Sequence, residues 1–132
     1  MGYFKAKIVA IESLQNLHLL KLTYKDQYFY MISLELHQKV KVGIEVKLYV
    51  KSSNIIISKK ADNELSIANQ LPVTISAIEY GVILTNIKLD FLGNCLEALL
   101  TTHQAKQLQL QKGDKVYAFI NESDLSLVVM DN

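Results

Sequence analysis

Apolar residues along this chain come in short runs of alternating or dense Val, Ile, Leu, Tyr and Phe, broken every few residues by polar turns. The segments "KAKIVAIE" (5–12), "LLKLTY" (19–24), "QYFYMISL" (27–34), "IEVKLYV" (44–50) and "NIIIS" (54–58) read as strands. β-Branched and aromatic side chains at period two fit a pleated, half-buried surface better than a helix stripe. A second set follows: "LPVTISAIEY" (71–80), "LTNIKLDFL" (84–92), "CLEALL" (95–100), "KVYAFI" (115–120) and "LSLVVM" (125–130).

The two sets repeat each other. An offset of 67 puts Ile8, Ala10, Ile11 and Glu12 on Ile75, Ala77, Ile78 and Glu79, and Lys21-Leu22 on Lys88-Leu89. An offset of 70 then puts Gly43 on Gly113, Val46 on Val116 and Ser53 on Ser123. Identities among Ile, Leu and Lys are cheap singly, and it is their order that carries the inference. The change of three residues predicts one insertion in the second copy, within 92–112. The expected units are 1–60 and 65–132. Only the second has a polar lead-in before its first strand, "LSIANQ" (65–70).

The longer connection "TTHQAKQLQLQKGD" (101–114) predicts a short helix, with Thr101 or Thr102 as cap and Gly113 beyond its end. A shorter version, "SLELHQKVKVG" (33–43), is expected in the first unit. "LGNC" (92–95) is a tight hairpin candidate, and Lys25-Asp26-Gln27 is its counterpart without glycine. Five short strands with a helix after the third match a small Greek-key barrel of the OB type. The expected fold is therefore all-β, two tandem OB-like five-stranded barrels, each with a short helix.

Composition agrees with a folded core: of 132 residues, 50% are apolar and 20% charged. A barrel of about 60 residues is marginal alone, so the two are expected to pack together or in a homo-oligomer, a dimer or trimer. The formal net charge of +1 gives no global field toward polyanions or anionic membranes. The N-terminal "MGYFKAKIVAIE" carries charges where the apolar stretch of a leader peptide lies, and Ala6 stands where myristoylation prefers Ser or Thr. No apolar run reaches the ~18–20 residues that span a bilayer. One cysteine, Cys95, excludes an internal disulfide and suits a reducing compartment. The expected location is the cytoplasm, without membrane partners.

Catalytic signatures are missing. His18, His37 and His103 have no ligand spacing, and one cysteine makes no thiolate cluster for zinc. Glu79, Asp90, Glu97 and Asp114 are scattered, and neither a nucleophile elbow nor a phosphate-binding glycine loop occurs. No enzyme activity and no cofactor are expected. "KLTYKDQYFY" (21–30) interleaves lysine with tyrosine as a single-strand-binding groove does. Lysines that guard a sheet edge are the favoured reading, and nucleic acid is not an expected partner.

Three segments of the second unit resemble the molybdate/tungstate-binding Mop domain, also called TOBE. "LSIANQLPVTISAIEYG" (65–81) is similar to the family's opening strand, with its Ser-Ala-Arg-Asn-type start and Ile-Glu-x-Gly ending. "ALLTTHQAKQLQLQKGDKVYAFI" (98–120) resembles its Val-Thr, short helix and Leu-x-Leu-x-x-Gly-x-x-Val segment, and "NESDLSLVV" (121–129) its last turn and strand. The first unit matches best at "YVKSSNIII" (49–57), near the family's Lys-Ala element. The resemblance implies a double-Mop arrangement and a bound molybdate or tungstate, with sites between subunits.

Such an oxyanion is a tetrahedral dianion that needs donors on every side and at least one cation. The resemblance implies Lys51 as charge donor, Ser52 as backbone donor, and Thr101 at the helix start with Ser33 as its counterpart. Ser66 and Asn69 stand at the first and last positions of the opening motif. Each also has a purely structural role to fill: a polar turn at 51–53, a helix cap at Thr101, a shaped lead-in to Pro72. The pattern departs at Ala68 (arginine in the family), at Asn121-Glu122 (Lys-Ala) and at Gln104 (serine). The expected function is a cytoplasmic, non-catalytic molybdate or tungstate binder for storage or homeostasis. The alternative is a ligand-free oligomerisation or partner-recognition module on the same fold.

Overall fold

The computed structural model describes residues 3–130. Its strands are β1 (Tyr3–Leu14), β2 (Leu17–Tyr24), β3 (Gln27–Ser33), β4 (Glu45–Tyr49), β5 (Ile56–Ser58), β6 (Asn69–Tyr80), β7 (Leu84–Phe91), β8 (Asn94–Thr101), β9 (Lys115–Ile120) and β10 (Ser126–Val129). One helix, α1 (Thr102–Gln107), follows β8, and two 3₁₀ turns, Ser52–Asn54 and Glu122–Asp124, precede β5 and β10. The strands form two antiparallel sheets of five, ordered β10-β4-β1-β2-β3 and β5-β9-β6-β7-β8.

The repeat read from the sequence reappears in the hydrogen bonds. β1 slips register between Ile8 and Ala10 where it pairs with β2, and β6 slips between Ile75 and Ala77 where it pairs with β7. A bulge at this point bends each long strand so that one strand serves both sides of a curled sheet. At each bend the following segment closes a pair of bonds. Ile8 N–H donates to Ile44 O (3.0 Å) and Gly43 N–H to Ile8 O (2.8 Å); Ile75 N–H donates to Asp114 O (2.9 Å) and Gly113 N–H to Ile75 O (2.7 Å). Gly43 and Gly113 sit at φ of +99° and +93°, a conformation that favours glycine. Their retention across the copies therefore has a mechanical cause.

The three-residue insertion coincides with α1. Thr101 caps this helix through its side chain, which accepts from Gln104 N–H, while Thr102 is buried and bonds Thr85 Oγ1 and Gly81 O at 2.8 and 2.9 Å. In the first repeat, with three residues fewer, 34–43 forms two turns instead of the short helix expected there. The hairpin read at 92–95 lies one residue earlier in the chain. Leu92 (φ 50°) and Gly93 (φ 93°) make the turn, and Asn94 already begins β8. Lys25 (φ 46°) and Asp26 (φ 67°) turn the equivalent corner, the left-handed pair of a two-residue hairpin.

The sheets do not follow the repeat boundary. β5, from the end of the first repeat, pairs with β9, and β10, from the end of the second, pairs with β4. Each repeat thus completes the other's sheet. The two share one apolar core, centred on Phe4 and Phe29 of the first sheet and Phe91 of the second, with ring centroids 4.9 to 5.7 Å apart. All three are fully buried. Burial of each is worth about 1.5–3 kcal/mol and tilted or edge-on ring pairs add about 0.5–1.5 kcal/mol.

Candidate functional site

Strand exchange carries each 3₁₀ turn across to the other repeat. Ser52–Asn54 packs on β8 and Glu122–Asp124 packs on β3. Between them lies a cleft of about 610 Å³, lined by Lys51, Ser52, Ser53 and Asn54 from one turn and Ser123 and Asp124 from the other, with Ser126 of β10 and Glu97 of β8. Lys51 is exposed and its carbonyl accepts the Asn54 N–H at 2.9 Å, so the turn is closed by backbone alone and no side chain caps it. The hydroxyls of this turn are therefore not consumed by its own geometry. Antiparallel alternation, counted from the Leu92-Gly93 turn, makes Lys88–Glu97 a non-hydrogen-bonded pair. The Glu97 N–H consequently points away from β7, toward the free edge of β8.

Chemically, the cleft offers one ammonium group, several hydroxyls and unpaired strand-edge donors, which suits a small oxyanion. Glu97 and Asp124 line it too and oppose a dianion. Among the described residues no His/Cys/Asp/Glu group is placed to hold a metal ion.

Of the residues singled out from the sequence, only Lys51 and Ser52 meet in this cleft. Ser33 lines a separate one of about 550 Å³ with Leu36, His37, Val40 and part of β10, and its hydroxyl donates to Glu35 O. By strand register Thr101 opposes Leu84, while Ser33 opposes His18, the equivalent of Thr85. The counterpart of Thr101 is thus Leu34, so the pairing of Ser33 with Thr101 is off by one residue. Thr101 acts as the helix cap.

The lead-in 66–69 has a different arrangement from the one read. Ser66 is exposed, but Asn69 is fully buried. Its Oδ1 accepts from Tyr30 N–H and its Nδ2 donates to Tyr30 O, both at 2.8 Å. Two of the three departures from the family pattern also meet: Ala68 N–H donates to Glu122 Oε1 at 3.4 Å. A carboxylate therefore lies at the lead-in. Sequence reasoning passed over Ser53, Asn54, Ser123 and Ser126, although Ser53 and Ser123 had already been matched by the 70-residue offset.

Residues 65–127 match the TOBE domain model. The chain is 37% identical over 82 residues to a molybdenum import ATP-binding protein ModC of Brucella abortus (strain 2308), covering 61% of this chain and 23% of that protein. It is 29% identical over 108 residues to ModC of Pseudomonas savastanoi pv. phaseolicola, covering 80% of this chain and 29% of that protein. The chain spans about a quarter of the length of these curated relatives. Among solved structures, the molybdate-bound form of the cytoplasmic molybdate-binding protein ModG superposes with a TM-score of 0.89 at 22% identity, covering 97% of this chain and 95% of that one. That likeness establishes the fold across both repeats. The TOBE domain model matches the second repeat, and the first is built on the same bulge, turns and exchanged strand.

Proposed function

We propose that the chain binds a tetrahedral oxyanion, molybdate or tungstate, as a non-catalytic cytoplasmic protein of storage or homeostasis. The observation that carries this reading is the cleft between the two 3₁₀ turns, where Lys51 stands beside Ser52 and Ser53 with their side chains uncommitted to capping. The TOBE match over 65–127, the molybdate named for ModG and the molybdenum named for ModC support the choice of ion. Lys51 supplies charge, the 51–54 turn and the Glu97 edge supply donors, and Thr101 and Ser33 lie at separate places that a neighbouring copy could present. We keep 1–60 and 65–132 as the proposed units of the repeat, and a homo-oligomer as the proposed assembly.

Calorimetric titration with molybdate, tungstate and sulfate tests the reading: heat with the first two and little with sulfate is expected, and no heat with any of them overturns it. A second reading, a ligand-free oligomerisation module, is favoured by Glu122 lying against the Ala68 N–H. It predicts an oligomer by light scattering that neither gains heat nor changes mass with oxyanion.

A further inference from the structure

The outer face of the first sheet differs from everything else on the molecule. Alternation puts Phe4, Ala6 and Ile8 inside and Tyr3, Lys5 and Lys7 outside on β1, the middle strand. Lys21 on β2, Lys47 on β4, and Tyr28 and Tyr30 on β3 share that outer face with Tyr49. Four lysines stand there against two acids, Glu45 and, beyond the bulge, Glu12. The tyrosines are accessible, Tyr3 at 42% and Tyr28 at 49%. Lysine ammonium groups lie over their rings: Lys21 is 4.6 Å from the Tyr28 centroid, and Lys47 is 4.9 Å from that of Tyr3.

Two observations set this apart from a merely solvated surface. The lysines are not edge guards, because Lys5, Lys7, Lys21 and Lys47 all lie on strands paired on both sides. Lys5 also directly opposes Lys47 across the β1–β4 ladder, a like-charge pair that costs the fold stability. The second repeat shows that the scaffold does not require this. There Pro72 opposes Tyr117, the positions of Tyr28 and Tyr30 hold Cys95 and Glu97, and Lys88 and Lys115 are balanced by Asp90 and Glu97.

We propose that the outer face of the first sheet binds single-stranded nucleic acid, with Tyr28 and Tyr3 as stacking platforms for bases and Lys5, Lys7, Lys21 and Lys47 as phosphate contacts. An anionic strand relieves the Lys5–Lys47 repulsion, and base–tyrosine stacking is tolerant of sequence. A cleft of about 340 Å³ between Tyr3, Lys5, Tyr24 and the Gly93–Cys95 corner continues the face at one end. A broad sheet face with exposed rings does not fit a duplex groove, so a paired strand engages charge alone.

The test is fluorescence anisotropy of the full chain with a labelled 12-mer of deoxythymidine at 50 and 200 mM salt. Binding is expected to weaken with salt, with a log–log slope of about −2 to −3 for three or four phosphate contacts. Tyr28→Ala is expected to weaken binding at least about fivefold without changing the slope. Lys5→Gln lowers the slope by about 0.7, and Lys88→Gln on the other sheet changes nothing. No binding at 50 mM salt overturns the proposal, as does binding that Tyr28→Ala and Lys5→Gln leave intact. Equal affinity for inorganic polyphosphate, a duplex of the same length or vesicles containing phosphatidylserine also overturns it, since charge alone would then explain the face.

Discussion

Asn69 pairs with the backbone of Tyr30 as though it were one more residue of a neighbouring strand, accepting from its N–H and donating to its C=O at 2.8 Å each. β3 is the last strand of its sheet, and counting from the Lys25-Asp26 turn shows that Tyr30 points both groups away from β2. Asn69 therefore closes a sheet edge from the other repeat, at full burial.

Asn69→Ala is expected to cost about 2–4 kcal/mol, because it removes two bonds and strands two backbone groups. Urea unfolding checks this. A variant that unfolds like the parent yet loses oxyanion affinity would return Asn69 to a ligand role.

Lys51→Ala is expected to weaken molybdate binding tenfold or more in a calorimetric titration, since it removes the cleft's cation. Thr101→Ala should lower stability by about 1 kcal/mol through loss of the cap, with a smaller effect on affinity. Equal losses of affinity from both would mean that another group supplies the charge.

Glu97→Gln removes a carboxylate from the same cleft while keeping its size. Molybdate affinity should rise severalfold, and more at low salt, where repulsion between like charges is least screened. An affinity that does not move, or falls, places the anion away from the cleft.

Glu122→Ser copies into the second repeat the residue found at Ser52 and frees the Ala68 N–H. The number of oxyanions bound per chain should increase. An unchanged number with unchanged affinity would show that the lead-in is not an anion site even when vacated.

Phe91→Ala is expected to cost about 3–5 kcal/mol, as large-to-small changes in well-packed cores do. Because Phe91 packs on Phe4 and Phe29 of the opposite sheet, the loss should appear as one transition of the whole chain by circular dichroism. Two separated transitions would mean that the sheets fold independently.

The repeat was legible because its anchors are local. A glycine at positive φ and a bulge after Ile8 or Ile75 leave marks in a fixed order. The exchange of β5 and β10 was not legible, because "NIIIS" and "LSLVV" suit either edge equally and nothing local names the strand beside them. The site was half legible. Lys51 and Ser52 are neighbours in sequence, but Glu97 and Ser123 join them only through that exchange. Asn69 misled because a polar residue before a proline reads as a shaped lead-in, whereas its burial comes from Tyr30, 39 residues earlier. Lys21 read as an edge guard until strand order placed it mid-sheet.

The exchanged strands also bear on synthesis. The chain leaves the ribosome N-terminus first, so β4 emerges with one edge unpaired and waits for β10, more than a whole repeat later. β5 in turn is made before any strand of the sheet that will receive it. An open β4 edge on a nascent chain is a place where two chains can pair wrongly, and the first sheet does not close its order until β10, the last strand, is out. A crowded polysome is thus the setting in which this architecture is most exposed.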